Sequence, residues 1–219
     1  MASIRPMKQS DVHRVAYLHS EAMGESLWAQ LGERFLRNLY RGLLKTPQFV
    51  GFVYEDATQI EGFIAGSTET KAMMRRALLS NLPRLTLSGI LGLRSWSVAQ
   101  KLLETSNYFR NSSEELRIDI PAESLFCSFT VATRGKRISG HINKVLFDTL
   151  CAMGHPAVKI TTEANNEGAN RQLLSWGFES QGRFVFYGKE MLCYTLLFSN
   201  SDRVSARDWR TNPWTKEGE

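Results

Sequence analysis

The chain has 219 residues, 42% of them hydrophobic and 22% charged, so it can bury the core of one domain or of two small ones. Its net charge of +5 favours anionic partners such as phosphorylated small molecules, nucleic acid or anionic lipid, without choosing among them. A membrane-spanning helix is not expected, because the sequence contains no stretch of about 18 uninterrupted apolar residues.

The three cysteines indicate reduced thiols. Cys127, Cys151 and Cys193 lie in apolar surroundings, and an odd number without the spacing of a disulfide framework predicts a cytoplasmic location. The histidines have no ligand-like spacing with these cysteines, so the sequence predicts no metal site. The absence of a phosphate-binding loop of the Walker type and of a Gly-x-Gly-x-x-Gly loop argues against nucleotide hydrolysis and nicotinamide binding.

The first third of the chain predicts a strand, two helices and a hairpin. Ile4-Arg5-Pro6 reads as a short strand, and Ser10-Asp11 is typical of a cap for the helix that follows. Leucine and phenylalanine recur every four residues between Leu27 and Leu43, which predicts a second helix. Two apolar runs flank a polar turn and predict the hairpin, namely Phe49–Tyr54 and Ile60–Gly66.

Residues 68–118 form a segment of different character, in which apolar residues mix with lysine and arginine. Lys71–Ser80 and Ser95–Ser106 have helical patterns, and Pro83 interrupts the region between them. We interpret the segment as a helical insertion packed on a sheet, because amphipathic helices usually cover a core. Contact with a membrane surface, or closure over an acceptor, is the alternative.

The centre of the chain joins a buried strand to a helix through a short basic loop. In a strand over Leu125–Val131, one face would carry Leu125, Cys127, Phe129 and Val131, and the other Phe126, Ser128 and Thr130. Apolar side chains on both faces predict a strand inside a sheet, and the apolar stripe from Ile138 to Leu150 predicts a helix. Arg134, Lys136 and Arg137 lie in the connecting loop. Unpaired amides and the dipole at the start of a helix favour a phosphate, so the loop is a candidate diphosphate-binding turn. A solvated basic loop in an ordinary α/β unit is the alternative.

The last part of the chain returns to strands. Gly154-His155-Pro156 ends the central helix. The elements expected after it are a strand over Val158–Thr162, a polar loop over Glu163–Asn170, a short helix ending at Trp176-Gly177-Phe178, and antiparallel strands over Gly182–Tyr187 and Met191–Phe198. Residues 199–219 form a polar tail with Trp209 and Trp214 as candidate anchors.

The order of these elements and two motifs resemble the GNAT superfamily of N-acetyltransferases. Arg134–Ser139 resembles the family's Arg/Gln-x-x-Gly-x-Gly/Ala loop, and Asn166 to Ala169, Leu173 and Gly177-Phe178 resemble its Asn-x-x-Ala…Tyr-x-x-x-Gly-Phe segment. The resemblance implies an α/β (α+β) fold with a mixed, mostly antiparallel sheet, splayed central strands and flanking helices. Residues 1–198 would form a single acyltransferase domain that contains the insertion.

Two departures from the family pattern bear on function. Arg137 stands where the loop usually has its first glycine, and Ser139 where it has glycine or alanine. A helical backbone at Arg137 would still allow binding, and the guanidinium would then add a phosphate contact. Leu173 replaces the tyrosine that protonates the leaving thiolate in many members. Here either another group or a water would protonate the thiolate, or the thiolate would leave without an acid.

The resemblance also implies the residues of the cofactor site, with acetyl-CoA as cosubstrate and no metal. The pantetheine arm would bond to the backbone of Phe129, Thr130 and Val131, and one of these N–H groups would stabilise the oxyanion. The pyrophosphate would bind the amides of Lys136 through Gly140. The implied cofactor-binding set is completed by Arg134, Gly135, Lys136, Arg137, Ile138, Ser139, Gly140 and Asn166. Asn166 is expected either at the pantetheine or as a loop cap.

A carboxylate is needed to take a proton from the acceptor ammonium, directly or through water. Glu123, at the start of the central strand, is the first candidate base, and Glu163, at the end of the next strand, is the second. A solvated carboxylate at a strand end is the alternative for each.

The predicted function is transfer of an acetyl group from acetyl-CoA to a primary amine by direct attack. A small-molecule amine is the expected acceptor, and a protein amine is the alternative, while nucleic acid is disfavoured. Use of a longer acyl-CoA, a non-catalytic CoA-binding role and assembly as a homodimer stay open.

Overall fold

A computed structural model describes residues 2–22, 31–77, 119–133, 136–186 and 188–215. Seven strands form one sheet, and their bounds are β1 (Ser3–Pro6), β2 (Phe49–Asp56), β3 (Gln59–Ser67), β4 (Glu123–Phe129), β5 (Ala157–Glu163), β6 (Glu179–Phe186) and β7 (Lys189–Leu197). Their order across the sheet is β1-β2-β3-β4-β5-β7-β6. Every neighbouring pair is antiparallel except β4 and β5, which are parallel. The predicted mixed, mostly antiparallel sheet is confirmed.

Helices cover both faces of this sheet. Their bounds are α1 (Val12–Ala22), α2 (Glu33–Leu43), α3 (70–77), α4 (Ile138–Ala152) and α5 (Glu167–Ser175). Helices α1 to α3 pack on one face around Leu36, Leu39 and Phe63, which are fully buried. Helices α4 and α5 pack on the other face around Ile142 and Leu146. The sheet thus separates two cores, because its strands present apolar side chains on both faces.

The hairpin that precedes the insertion forms as predicted. Asp56 pairs with Gln59, so Ala57 and Thr58 make up a two-residue turn. Both have positive φ, at 48° and 72°, which is the geometry that matches the twist of the flanking strands. Of the insertion, residues 70–77 are helical and overlap the helix predicted over Lys71–Ser80, and residues 78–118 lie outside the described residues.

The central strand begins at Glu123, as expected, but it ends earlier than predicted. β4 begins at Glu123 and ends at Phe129, so Val131 is not part of it. A 3-10 helix starts at Val131, because the carbonyl of Thr130 accepts hydrogen bonds from both the N–H and the hydroxyl of Thr133. The prediction that strand alternation continues to Val131 is therefore wrong.

A bulge in β4 also changes which side chains share a face. Ala65 pairs with Phe126 and Gly66 pairs with Ser124, so Leu125 is the extra residue. Leu125 and Phe126 accordingly both pack against the core under α1 and α2, whereas Cys127 and Phe129 contact the core under α4. The predicted face shared by Leu125, Cys127 and Phe129 is wrong for this physical reason.

The tail is packed along α4. The buried Asp148 carboxylate lies 3.0 Å from the Lys144 ammonium and accepts hydrogen bonds from the Ser205 N–H at 2.9 Å and the Asn212 amide at 3.0 Å. The Trp214 ring stacks on His141 with 3.7 Å between ring centroids. In the part of the chain that the structure describes, no helix is long and apolar enough to cross a membrane.

Candidate active site

The parallel strands β4 and β5 open into a cleft. They pair only at Glu123 with Lys159 and at Ser124 with Ile160, and no pair follows. A cavity of about 300 Å³ occupies the gap. It is lined by residues of both strands, of α4 and of α5: Ser124, Leu125, Phe126, Cys127, Phe129, Ser139, Asn143, Phe147, Ile160, Thr161, Thr162, Asn166, Ala169, Gln172, Leu173, Trp176 and Phe178. An extended chain could lie between the strands and take the place of a missing strand pair.

The backbone of β4 offers hydrogen-bonding groups to this cleft at alternate residues. Thr130 donates its N–H to the carbonyl of Glu61 in β3 at 2.8 Å, so its backbone faces away from the cleft. Because backbone groups alternate between the two sides of a strand, Ser128 also faces β3 while Cys127 and Phe129 face the cleft. The Thr130 hydroxyl is likewise taken up by the Glu61 carboxylate. Of the three residues predicted to line this path, the geometry suits Phe129, and sequence reasoning missed Cys127.

The bulge lies at the closed end of the cleft. Leu125 directly follows the last β4–β5 pair at Ser124, and as the extra residue of the bulge it is out of register with the β3 ladder. Its neighbours Ser124 and Phe126 both pair with β3, so Leu125 is fixed between two paired residues. A rigid N–H at such a point can stabilise charge that develops on an oxygen.

The basic loop leads into α4 through a left-handed residue. Arg137 is the N-cap of α4 and has φ 57° and ψ 15°. The backbone is thus helical but left-handed, which is the conformation that glycine adopts most readily. This explains why a glycine is typical at this point of the motif and shows that the chain folds the same way with an arginine there.

The first amides of α4 have no side-chain cap. The Arg137 carbonyl accepts hydrogen bonds from Gly140 N–H at 3.1 Å and His141 N–H at 3.3 Å, but a guanidinium cannot accept one from the first turn. The N–H groups of Ile138 and Ser139 therefore point out of the helix start without an intrahelical partner. Lys136 and Arg137 are exposed beside them, and burial and the Arg137 charge lower the pKa of His141. This helix start suits an anion. Arg134 and Gly135, the other predicted loop residues, lie outside the described residues.

Glu123 directly precedes Ser124 at the closed end of the cleft, and its buried side chain does not line the cavity. Its carboxylate is 3.9 Å from the ammonium of Lys159, the residue opposite it on β5. Burial raises the pKa of Glu123, while the Lys159 charge and the nearby Thr70 hydroxyl oppose the rise. A carboxylate with a raised pKa binds a proton more readily than an exposed one, as a general base requires.

Glu163, the second candidate base, lies at the open end of β5 in a different environment. Its carboxylate forms an ion pair with the Lys189 ammonium at 2.7 Å, and both side chains are 38% exposed. This ammonium competes with a substrate proton for the same oxygens. The geometry therefore favours Glu123 over Glu163.

Asn166 and Leu173 place α5 against the cleft. The Asn166 side chain accepts a hydrogen bond from Ala169 N–H at 3.1 Å, so it caps α5, and it also lines the cavity. Leu173 is 9% exposed and lines the cavity where the motif usually places a tyrosine. Among the described side chains that line the cavity, Cys127 is the only titratable one, and burial raises its pKa to about 12. The α5 wall is thus uncharged.

The remaining cysteines and histidines do not assemble a metal site within the described residues. Cys127, Cys151 and Cys193 are free thiols. Burial and the Glu123 charge raise the pKa of Cys193 to about 11, so it is a neutral neighbour of the Glu123–Lys159 pair.

Comparisons with known structures identify the fold. An N-acetyltransferase from Staphylococcus aureus Mu50 superposes with a TM-score of 0.57 at 14% identity, over 90% of this chain and 98% of that one. The spermidine/spermine N-acetyltransferase SpeG from Vibrio cholerae gives 0.53 at 13% identity, over 91% and 96%. The protein yncA from Salmonella typhimurium, determined with its cofactor acetyl-CoA, gives 0.52 at 15% identity, over 92% and 96%.

No family model and no curated protein sequence matches the chain. At these low sequence identities the structural likeness shows the fold and not the reaction. The chain has the fold of the GNAT acetyltransferases, as the resemblance implied.

Proposed function

We propose that the chain is an acyl-CoA-dependent N-acyltransferase that transfers an acetyl group from acetyl-CoA to a primary amine. One observation carries the proposal: β4 and β5 separate directly after Ser124 and Ile160, and the uncapped, basic start of α4 borders the cleft they form. A long thioester with a diphosphate matches this combination of an extended slot and an anion site.

The pantetheine arm would lie along β4 and bond to the cleft-facing backbone of Cys127 and Phe129. The pyrophosphate would accept hydrogen bonds from the amides of Ile138 and Ser139 and pair with Lys136 and Arg137. Charge-assisted bonds of this kind are about twice as strong as neutral ones, so they would supply much of the affinity.

The reaction would take place at the closed end of the cleft. The neutral amine attacks the thioester carbonyl, and the developing oxyanion accepts a hydrogen bond from the N–H of Leu125 in the bulge. Glu123 takes the proton that the nitrogen loses. The Glu123 carboxylate lies on the α1–α3 face with Lys159 and Thr70, which supports entry of the acceptor from that face.

A small-molecule amine is the proposed acceptor. The neighbour SpeG is a spermidine/spermine acetyltransferase by name, which supports amines of low molecular weight as the first panel to test. The three free thiols support a reducing, cytoplasmic location.

The test is release of free CoA thiol from acetyl-CoA in the presence of a panel of small amines, polyamines, amino sugars and peptides. Acyl transfer to at least one amine, with mass gain on that amine, is the expected result. Binding of CoA by calorimetry without transfer to any acceptor would instead favour a CoA-binding protein without catalysis, which the apolar Leu173 would explain. Repeating the assay with longer acyl-CoA donors measures acyl-chain preference.

A further inference from the structure

The uncharged α5 wall raises the question of what protonates the leaving thiolate. Leu173 offers no proton, and Cys127, with a pKa near 12, is a weaker acid than an ordinary thiol at about 8.5. Cys127 is therefore a neutral thiol, and it offers no positive charge to a leaving thiolate. Within the described part of the chain, the cavity lining on the α5 side supplies no acid for this step.

The closed end of the cleft does offer a cation on the opposite face. Val158 and Ile160 of β5 contact the core under α4 and α5, so the intervening Lys159 points to the α1–α3 face. There its ammonium meets Glu123 at 3.9 Å, and its side chain keeps 17% exposure. Lys159 directly precedes Ile160, the last β5 residue paired with β4, so it lies next to the closed end of the cleft, although its side chain does not line the cavity.

We propose that Lys159 is the acid that stabilises and protonates the leaving thiolate, working as a pair with Glu123. The inference rests on the proposed function. It assigns to the α1–α3 face the proton transfer that the motif usually assigns to α5.

The proton and electron balance closes within this pair. Attack forms the C–N bond and moves the carbonyl π electrons to oxygen; collapse re-forms the carbonyl and breaks the C–S bond, whose electron pair stays on sulfur. The nitrogen gives one proton to the Glu123 carboxylate, and the Lys159 ammonium gives one to sulfur. Glu123 then returns its proton to the neutral Lys159 amine. A shortening of the 3.9 Å separation by about 1 Å, or one bridging water, brings the two groups within hydrogen-bond range.

The test compares two acetyl donors that differ in the acidity of their thiol. S-acetylpantetheine releases an alkyl thiolate, which needs protonation. Phenyl thioacetate releases the thiolate of a more acidic aryl thiol, and this weaker base can leave without protonation. We expect Lys159→Met to lower kcat/KM about 100-fold or more with the first donor and less than about 10-fold with the second. An equal loss with both donors would overturn the proposal, because a purely structural role does not depend on the leaving group.

The variant Lys159→Arg separates a loss of proton donation from a loss of folding. An arginine preserves the positive charge beside Glu123, so the melting temperature should change little, yet it does not release a proton at working pH. We expect it to lose most of the activity with S-acetylpantetheine and little with phenyl thioacetate. Full activity of Lys159→Arg with S-acetylpantetheine would reduce Lys159 to a source of charge and overturn the assignment of proton donation.

The control is Lys45→Met, which removes the same charge from an exposed position after α2 and should leave both donors unaffected. Failure of the proposed function would look different, because the unchanged protein would then release thiol from neither donor, and that result would overturn both proposals.

Discussion

Replacement of Arg137 by glycine should change stability and CoA affinity in opposite directions. Arg137 has φ 57°, and a left-handed conformation costs an L-residue about 1–2 kcal/mol. Glycine adopts this conformation without that penalty but loses more backbone entropy on folding, so the net gain should be about 1 kcal/mol. For a chain of this length that corresponds to a rise in melting temperature of roughly 2–4 °C.

The affinity should fall because the guanidinium is exposed beside the free amides of α4. A hydrogen bond from a charged group contributes about 1.5–3 kcal/mol, which corresponds to a Kd for CoA weaker by about 10- to 100-fold. Thermal unfolding measures the first effect, and calorimetric titration with CoA at low and high salt measures the second. The salt dependence of binding should also become smaller in the variant, because one screened charge has been removed.

The matched control is Thr58→Gly, in the turn between β2 and β3. Thr58 has φ 72°, so glycine there should raise stability in the same way and leave CoA affinity unchanged. Tighter CoA binding by Arg137→Gly would refute the reasoning, because it would mean that the Arg137 side chain obstructs the phosphate instead of binding it. A loss of stability in Arg137→Gly would refute the backbone argument separately.

Three further predictions concern other charged groups. Asp148→Ala should lower the free energy of unfolding by about 3 kcal/mol, because it removes the partner of Lys144, Ser205 and Asn212. The control Asp208→Ala, at an exposed position, should lower it by less than about 1 kcal/mol. Urea denaturation measures both values, and equal losses would contradict the anchoring role of Asp148. Burial lowers the pKa of His19 to about 4, so the unfolded chain binds more protons than the folded one between pH 6.5 and 4. The free energy of unfolding should therefore fall by about 3 kcal/mol as the pH falls through that window. The variant His19→Gln should lose this pH dependence, and the control His13→Gln, at an exposed position, should keep it. In acyl transfer, Glu123→Gln should lower kcat/KM about 100-fold or more and abolish the decline in rate at acid pH. Glu163→Gln should retain both the rate and its pH dependence. The reverse pattern would make Glu163 the base.

Local patterns predicted the elements well where one residue type has a strong physical preference. The apolar stripe from Ile138 to Leu150 and the Gly154 stop predicted α4, because side-chain spacing and helix-ending signals act within a few residues. The polar turn between two apolar runs predicted the β2–β3 hairpin for the same reason. These contacts are short in sequence, so the sequence contains most of what determines them.

Features that depend on distant residues escaped prediction. The bulge at Leu125 arises from the register of β3 against β4, and the end of β4 depends on Thr133 bonding back to Thr130. The ion pair of Glu163 with Lys189, and the packing of the tail on Asp148, join segments that no local pattern relates. The motifs supplied candidate residues such as Lys136, Ser139 and Asn166, but the environments of the candidate residues depend on contacts between distant segments.

The placement of charge around the cleft follows from the two cores. The α5 face of the cleft is apolar at Leu173, Phe147 and Phe178, and such a wall excludes water and lowers the local dielectric. An ion pair at the edge of a dry wall interacts more strongly with a developing charge than one in water. The absence of a hydroxyl at Leu173 and the presence of a cation on β5 are therefore compatible parts of one arrangement, in which the proposed Glu123–Lys159 pair would act from the α1–α3 face.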